Sequence, residues 1–411
     1  MSAPTPRASR FPRERLPEPV DEGWASDPAP WSPDRFLPMP GVTYLDGHSL
    51  GRAPRAYEEA MRRLSVDEWG RLGAEAWSFW GSRALEVGDR LGEVALGAAP
   101  GQVVLGDSTT VQLYKAIAAV GAAVPGRPTL VGVRGDFPTD RYLLQGLAAR
   151  GHFAVRMAET EASIAGDLSD VLDESVAAVV VSHVQYASGA LVPVEAICTA
   201  AHAVGAAVVL DCSHSLGAVP VELDRWGVDL AAGATYKHLS AGPGAPAFLY
   251  VRRALQERLS SPIWGWFGAE DVFAMGPDYL PAAGVRRFQA GTPPIVGLVG
   301  VDVGAAVAAE VGLPRLRARG LFLSRQATEA AADLERVGVG IAGPREVERR
   351  GSHLALAHPE AERLQAALAE RRILTDFRRP DLLRIGLSPA STRPEEVETA
   401  FGALGELLGR G

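Results

Sequence analysis

The chain has 411 residues and a mass of 43.4 kDa, with 47% hydrophobic residues, 22% charged residues and a formal net charge of −8. Such a length predicts two lobes with separate cores, and the acidic balance without any Lys/Arg block argues against nucleic acid as a partner. No apolar run reaches the ~20 residues of a membrane helix, no signal-like segment opens the chain, and two cysteines (Cys198, Cys212) make neither a disulfide framework nor a metal spacing, so a soluble cytoplasmic protein without membrane or metal is expected.

In chain order, residues 1–40 hold ten prolines and read as an irregular arm, with Trp24 and Trp31 placed to dock it on the body. Val42-Thr43-Tyr44 gives a short strand and Asp46-Gly47 a turn, and from Pro54 to about Leu96 the apolar spacing is helical. Between 100 and 251, short β-branched runs alternate with helical stretches. The strands are expected at Val103–Leu105, Thr129–Val133, Phe153–Met157, Val179–Ser182, Ala207–Asp211, Leu230–Ala232 and Ala247–Val251. These runs are too apolar for a half-exposed sheet, so the fold class is α/β: a mainly parallel seven-stranded sheet with helices on both faces. After Thr292-Pro293-Pro294 a long Ala-rich helical stretch runs from Ile295 to about Val337, and strands at Leu354–Ala357 and Leu383–Leu387 mark a smaller C-terminal α+β domain. The expected division is an arm at 1–40, a large domain at 41–295 and a small domain at 296–411, with 41–55 packing on the small domain or a partner subunit.

Of 41 basic residues only Lys115 and Lys237 are lysines, leaving 41 − 2 = 39 arginines. Arginine replaces lysine on a surface at little cost, but guanidinium never loses its proton to attack a carbonyl. Lys237 follows an apolar run in Ala234-Thr235-Tyr236-Lys237-His238, which suits a Schiff-base lysine at a strand end. Ligands in such folds sit beyond the carboxyl ends of the parallel strands. Polar residues cluster there: Gly106-Asp107-Ser108-Thr109-Thr110, which as an N-cap or as a phosphate site opens a helix, and Asp136-Phe137-Pro138-Thr139-Asp140. Asp211 ends the apolar strand Val208-Val209-Leu210-Asp211, where a carboxylate is costly unless a donor or a positive group meets it. A protonated pyridine nitrogen is such a group, and Lys237 follows 237 − 211 = 26 residues later, one helix and one strand on.

Asp211-x-x-His214, then Thr235-Tyr236-Lys237 and Ser240-Ala241-Gly242-Pro243-Gly244, resemble the fold-type-I pyridoxal phosphate enzymes, and more narrowly the kynureninase family. The resemblance spans about Tyr44 to Leu407 and includes Tyr44-Leu45-Asp46-Gly47-His48-Ser49-Leu50-Gly51, Glu68-Trp69-Gly70, Gly265-Trp266-Phe267-Gly268, Gly291-Thr292-Pro293-Pro294-Ile295 and Arg350-Gly351-Ser352-His353. It implies pyridoxal 5'-phosphate as cofactor and hydrolysis of the β–γ carbon–carbon bond of kynurenine or a substituted kynurenine, such as 3-hydroxykynurenine, to alanine and an anthranilate. It further implies that Lys237 forms the imine, Asp211 holds the pyridinium, His214 lies near the ring and Phe137 stacks on it. Thr109, Thr110 and Tyr236 would bind phosphate, with Tyr236 also relaying protons, while Asp140 and Ser182 match further cofactor contacts. Trp266 and Thr292 match residues that complete the neighbouring subunit's site, implying a homodimer with shared active sites. Arg384 matches the arginine that grips the substrate α-carboxylate, with His48 and Ser49 beside the substrate. The family pattern is departed from at His48, Ala269, Pro389-Ala390-Ser391 and Gln185-Tyr186-Ala187-Ser188-Gly189, all expected near the aromatic part of the substrate. Competing readings are a lyase or decarboxylase of the same fold, a cysteine desulfurase, and a non-catalytic binding protein.

Overall fold

In the computed structural model the described residues are 33–151, 153–158 and 170–409; Trp24, Trp31 and most of the expected arm lie outside them. The strands in chain order are β1 (Thr43–Tyr44), β2 (Val103–Gly106), β3 (Thr129–Val133), β4 (Ala154–Ala158), β5 (Val176–Ser182), β6 (Ala207–Asp211), β7 (Leu230–Gly233), β8 (Ala247–Val251), β9 (Gly340–Ala342), β10 (His353–Ala357), β11 (Ile373–Leu374), β12 (Asp376–Arg378) and β13 (Leu382–Gly386). β2 to β8 form one seven-stranded sheet in the order β2-β8-β7-β6-β5-β3-β4. Pairing is parallel from β7 through β4, while β8 runs antiparallel to both β7 and β2. The seven strands expected from the apolar runs are those of the sheet; only the reversed β8 is a feature that periodicity could not supply.

The central strands are buried along their length apart from Ala207 at the start of β6, as their Val-, Ala- and Leu-rich runs require when helices cover both faces. Helices Thr109–Ala123 and Pro138–Ala149 pack on one face, where Leu113, Ile117 and Leu144 join Val180, Val209 and Leu249. On the other face Val87 and Leu91 of Trp77–Leu91 and Ile197 of Val194–Ala203 pack with Val179, Val208 and Leu210. β5, β6 and β7 end level: Ser182 lies opposite Asp211, and Asp211 opposite Ala232. That shared edge sets the position of the site.

A second core gathers around the four-stranded sheet β12-β13-β10-β9 and the helices Leu313–Ala332, Ala361–Glu370 and Pro394–Leu407. β1 pairs in parallel with β11, and Leu45 is buried in this second core, so the segment after the arm packs on the C-terminal part of the chain. The expected continuous helix from Ile295 to about Val337 is two helices, Ile295–Val311 and Leu313–Ala332, bent by 84°. Gly312 makes the corner with φ +83°, a left-handed conformation that side chains with a Cβ resist, and Pro314 opens the second helix. Leu298, Val301, Ala305 and Val311 of the first helix, expected in the smaller domain, pack in the core beside the large sheet. The expected helical stretch from Pro54 to about Leu96 is helical throughout, with wider π winding at Arg63–Trp69 and Gly92–Leu96 and a tighter 3-10 turn at Gly73–Ala76. Among the described residues no single helix is long and apolar enough to cross a membrane.

Candidate active site

At the carboxyl edge of β5, β6 and β7 lies a cavity of about 410 Å³. Its walls include His48 and Ser49, Thr109 and Thr110, Phe137 and Asp140, Ser182, Asp211, His214, Tyr236, Lys237 and Arg384. Twelve of the site residues expected from sequence thus meet in one place although they span 336 positions of chain (384 − 48). Trp266 and Thr292 do not line it; both are surface-exposed, Trp266 in a short turn and Thr292 just ahead of the helix at Ile295.

Lys237 leaves β7 in a loop fixed by backbone bonds. The Ala241 amide donates to the Thr235 carbonyl (3.1 Å), the Ser240 amide to the Lys237 carbonyl (2.9 Å) and the Gly51 amide to the Tyr236 carbonyl (2.8 Å). A Cβ on Gly51 would stand 2.2 Å from the Lys237 carbonyl oxygen, so only glycine allows the chain's first loop to close on this one. Lys237 Nζ lies 3.1 Å from His214 Nε2 and 5.9 Å from the centre of the Phe137 ring. Burial lowers its pKa to about 8, opposed by the negative field of Asp211 and assisted by Arg384. The neutral amine that a carbonyl nucleophile requires is therefore far more populated near neutral pH than in a free lysine.

Asp211 and Asp140 line the cavity, and Asp136 is buried beside them, accepting from the Ser182 amide. Asp211 Oδ1 accepts from the Ser213 amide at 2.7 Å, Asp140 Oδ2 accepts from Ser182 Oγ at 3.2 Å, and Asp136 Oδ1 accepts from Gln185 Nε2 at 2.7 Å. Burial raises all three pKa values, Asp136 to about 7, and mutual repulsion raises Asp136 and Asp140 further. This is an acidic patch looking for positive charge. Burial in turn holds His214 and His353 neutral, and His48 and His238 fall to about 3.

Arg384 also lines the cavity and is 2% exposed on β13. It donates through Nη1 to the Tyr186 carbonyl at 2.7 Å and through Nη2 to Asp376. Asp376 also meets Arg378 at 3.0 Å, Ser49 Oγ at 3.2 Å and His48 Nε2 at 3.5 Å. Burial alone would raise its pKa, but the hydrogen bond from His48 and the charge and hydrogen bond of Arg384 bring it below the usual carboxylate range. Asp46, His48 and Asp376 bring ligand-type atoms within 4.8 Å of one another, but the two guanidiniums on Asp376 oppose a cation there.

Sequence reasoning missed Asp376 and Arg378, and gave no individual role to Tyr186 or to the buried His238 and His353, which it named only within longer segments. For Asp376 a signal existed: it stands opposite Arg384 in the β12–β13 register, but that pairing is visible only once the hairpin is known. Of the positions departing from the family pattern, His48 lines the cavity, as does Tyr186, the retained tyrosine of the altered loop Gln185–Gly189. Gln185 instead braces Asp136, Ala269 bridges Pro281 in a loop, and Ala390 and Ser391 are buried away from the cavity. Both cysteines are buried, which pushes Cys198 up to about 12 and Cys212 higher still, so neither is a reactive thiolate as a desulfurase needs.

The residues fit a phosphorylated pyridine aldehyde. An amine and a buried carboxyl flank the cavity, Phe137 supplies a ring, and hydroxyls sit at the start of the helix Thr109–Ala123, where free N–H groups favour an anion. Asp140 Oδ1 and His214 Nδ1 are buried without a hydrogen-bond partner among the described residues, as groups reserved for a ligand are.

The aminotransferase class-V family model matches residues 95–375. Over 390 residues, 92% of this chain and 91% of the relative, the sequence is 36% identical to a kynureninase from Pseudomonas fluorescens. It is 35% identical over 385 residues to a kynureninase from Burkholderia pseudomallei, covering 91% of each chain. Among solved structures, a cysteine desulfurase from Thermococcus onnurineus superposes with a TM-score of 0.77 at 24% identity, covering 89% of this chain and 94% of that one. A cysteine desulfurase from Escherichia coli gives 0.77 at 18%, covering 92% and 98%. At these identities the structural likeness speaks for the fold alone.

Proposed function

This chain belongs to the kynureninase family within the aminotransferase class-V fold, and from that premise we propose which residues carry the reaction. It is a pyridoxal-phosphate-dependent hydrolase acting on a carbon–carbon bond, and kynurenine is its substrate class. The observation that carries the residue assignment is the meeting of a half-buried amine, Lys237, with Asp211 and Arg384 on the walls of one cavity.

When bound, pyridoxal phosphate supplies withdrawal of electrons from the α- and β-carbons of an amino acid. Asp211, buried at the end of β6, holds the proton on the pyridine nitrogen. Thr109, Thr110 and Tyr236 receive the phosphate, Phe137 covers the ring, and Asp140, Ser182 and His214 line its rim. Arg384, braced by Asp376 and the Tyr186 carbonyl, turns its remaining N–H groups to the substrate α-carboxylate, with His48 and Ser49 beside it. Lys237 Nζ, with its lowered pKa, takes up and returns the α-proton. Tyr236, one residue before the lysine and on the same cavity wall, moves the proton that accompanies water addition to the γ-carbonyl. Alanine and an anthranilate are the products of that hydrolysis.

Two subunits share their sites in this reading: Trp266 and Thr292, exposed on one protomer, serve the cavity of its partner. A surface carrying Trp264, Trp266, Phe273, Met275 and Leu280, each at least 39% exposed, supports a homodimer, since soluble monomers rarely present such a patch. The large domain, which keeps the helix Ile295–Val311, and the small domain that follows Gly312 would close on the substrate between them, in the cytoplasm. The test is incubation with kynurenine and, separately, 3-hydroxykynurenine, with alanine and the aromatic acid assayed together. Equal amounts of both products are expected; alanine without an aromatic acid, or neither product, overturns the reading.

A further inference from the structure

Lys237 accounts for one of the two lysines retained among 39 arginines. The other, Lys115, is 1% exposed on the helix Thr109–Ala123. Side chains on a helix lean toward its N-terminus, so Lys115 reaches back along its own helix to the loop that precedes it. There its Nζ donates to the carboxylate of Asp107 and, at 3.1 Å, to the carbonyl of Phe288. Asp107 has φ +50°, a left-handed backbone that a non-glycine residue holds only when its surroundings enforce it. Its carbonyl accepts from the Ala247 amide at 3.0 Å, and it lines the cavity next to Thr109 and Thr110.

A carboxylate is an odd choice beside a dianion. Unneutralised, Asp107 would repel the very phosphate that the helix start attracts. Lys115 cancels that charge from below while tying the loop to the turn Gly284–Phe288, so the loop is held from two sides. An arginine, with its planar fork, does not reproduce a compact ammonium serving two acceptors in a closed space. We propose that Lys115 is a positioning residue for the phosphate site: its ammonium neutralises Asp107 and fixes Gly106–Thr110 so that the helix start receives the cofactor phosphate. The inference rests on the phosphate placement proposed above.

The test compares the affinity of the full-length apoenzyme for pyridoxal phosphate and for pyridoxal, which lacks the phosphate, by fluorescence titration. Lys115→Met is expected to weaken pyridoxal phosphate binding by roughly tenfold or more, the scale of an unscreened like charge at close range, and to leave pyridoxal unchanged. Removing both charges in Asp107→Asn/Lys115→Met is expected to recover most of the loss. Equal losses for both ligands, or no recovery in the double variant, overturn the proposal by leaving Lys115 only a packing role. Thr110→Val separates the two levels: if it weakens phosphate binding and Lys115→Met does not, this inference alone fails, and if neither does, the phosphate placement fails too. Should Lys115→Met not fold, the wild type still decides. With ¹⁵N-labelled lysine only two Nζ signals exist, and that of Lys115 must move on binding pyridoxal phosphate and stay still on binding pyridoxal; an unmoved signal overturns the proposal.

Discussion

Arg384 and Asp376 face each other across the β12–β13 register and form a buried ion pair, of which Arg384 lines the cavity. The aspartate holds one guanidinium nitrogen and the Tyr186 carbonyl holds the other, which fixes the plane of the fork before any substrate arrives. Preset orientation is worth binding energy, because the ordering is done by the fold and not by the ligand. Arg384→Lys is expected to lower kcat/KM by about 10²-fold, since a point charge cannot replace a bidentate fork. Asp376→Asn is expected to raise KM by roughly tenfold, about 1.4 kcal/mol, with cofactor absorbance unchanged. Steady-state kinetics on both variants check this; a fall in kcat at constant KM for Asp376→Asn would contradict the positioning role.

Lys237 titrates near 8 because burial disfavours its charge. Attack on the cofactor aldehyde needs the neutral amine. Reconstitution of apoenzyme with pyridoxal phosphate should therefore speed up about tenfold per pH unit below 8 and level off above it. Stopped-flow absorbance across pH 6 to 10 reads the inflection, and an inflection near the ordinary lysine value of about 10.4 would mean the amine is not desolvated. Lys237→Ala should show no borohydride-reducible absorbance at all.

His48 sits neutral between Asp46 at 3.6 Å and Asp376 at 3.5 Å, with its pKa lowered to about 3 chiefly by burial. The unfolded chain takes up that proton already below about 6.5. Between those values the unfolded state binds more protons than the folded one, so this group makes stability fall as pH falls. His48→Asn removes the term, and its unfolding free energy should decline less steeply with acid, by about 1.4 kcal/mol per pH unit, between pH 6 and 4. Denaturant titrations of both proteins at several pH values provide the comparison; parallel curves would show that His48 is charged in the folded state.

Trp266 and Thr292 offer a test of shared sites. Lys237→Ala and Trp266→Ala proteins, each inactive or nearly so, should regain activity when unfolded together and reassembled. Half of the random dimers are mixed and each mixed dimer has one intact site, so recovery should approach about a quarter of wild type. Activity no higher than the sum of the parents would place Trp266 outside its partner's cavity.

The parts of this site legible from sequence were those carried by local pattern. Asp211 was visible because an acid ended an apolar strand, and Lys237 because lysine is so scarce. The seven strands were legible because burial on both faces demands unbroken β-branched runs. The 84° corner at Gly312 was masked by Ala- and Arg-rich stretches that read as helix on either side. Asp376, Tyr186 and His353 were hidden for a different reason: Asp376 gains its meaning from Arg384 across a hairpin, and Tyr186 and His353 from partners far away in the chain, and no spacing rule encodes those contacts. His48 and Ser49 came from the family resemblance, and their link to Asp376 emerged only with the fold.

With lysine confined to positions 115 and 237, a lysine-specific endopeptidase acting on the denatured chain yields just the pieces 1–115, 116–237 and 238–411. Reduction with borohydride while the vitamin is attached would block the second cut and fuse the last two pieces. The chain thus carries its own mass tag for cofactor occupancy: the ratio of fused to separate fragments in one spectrum counts the fraction of loaded sites, without any engineered label.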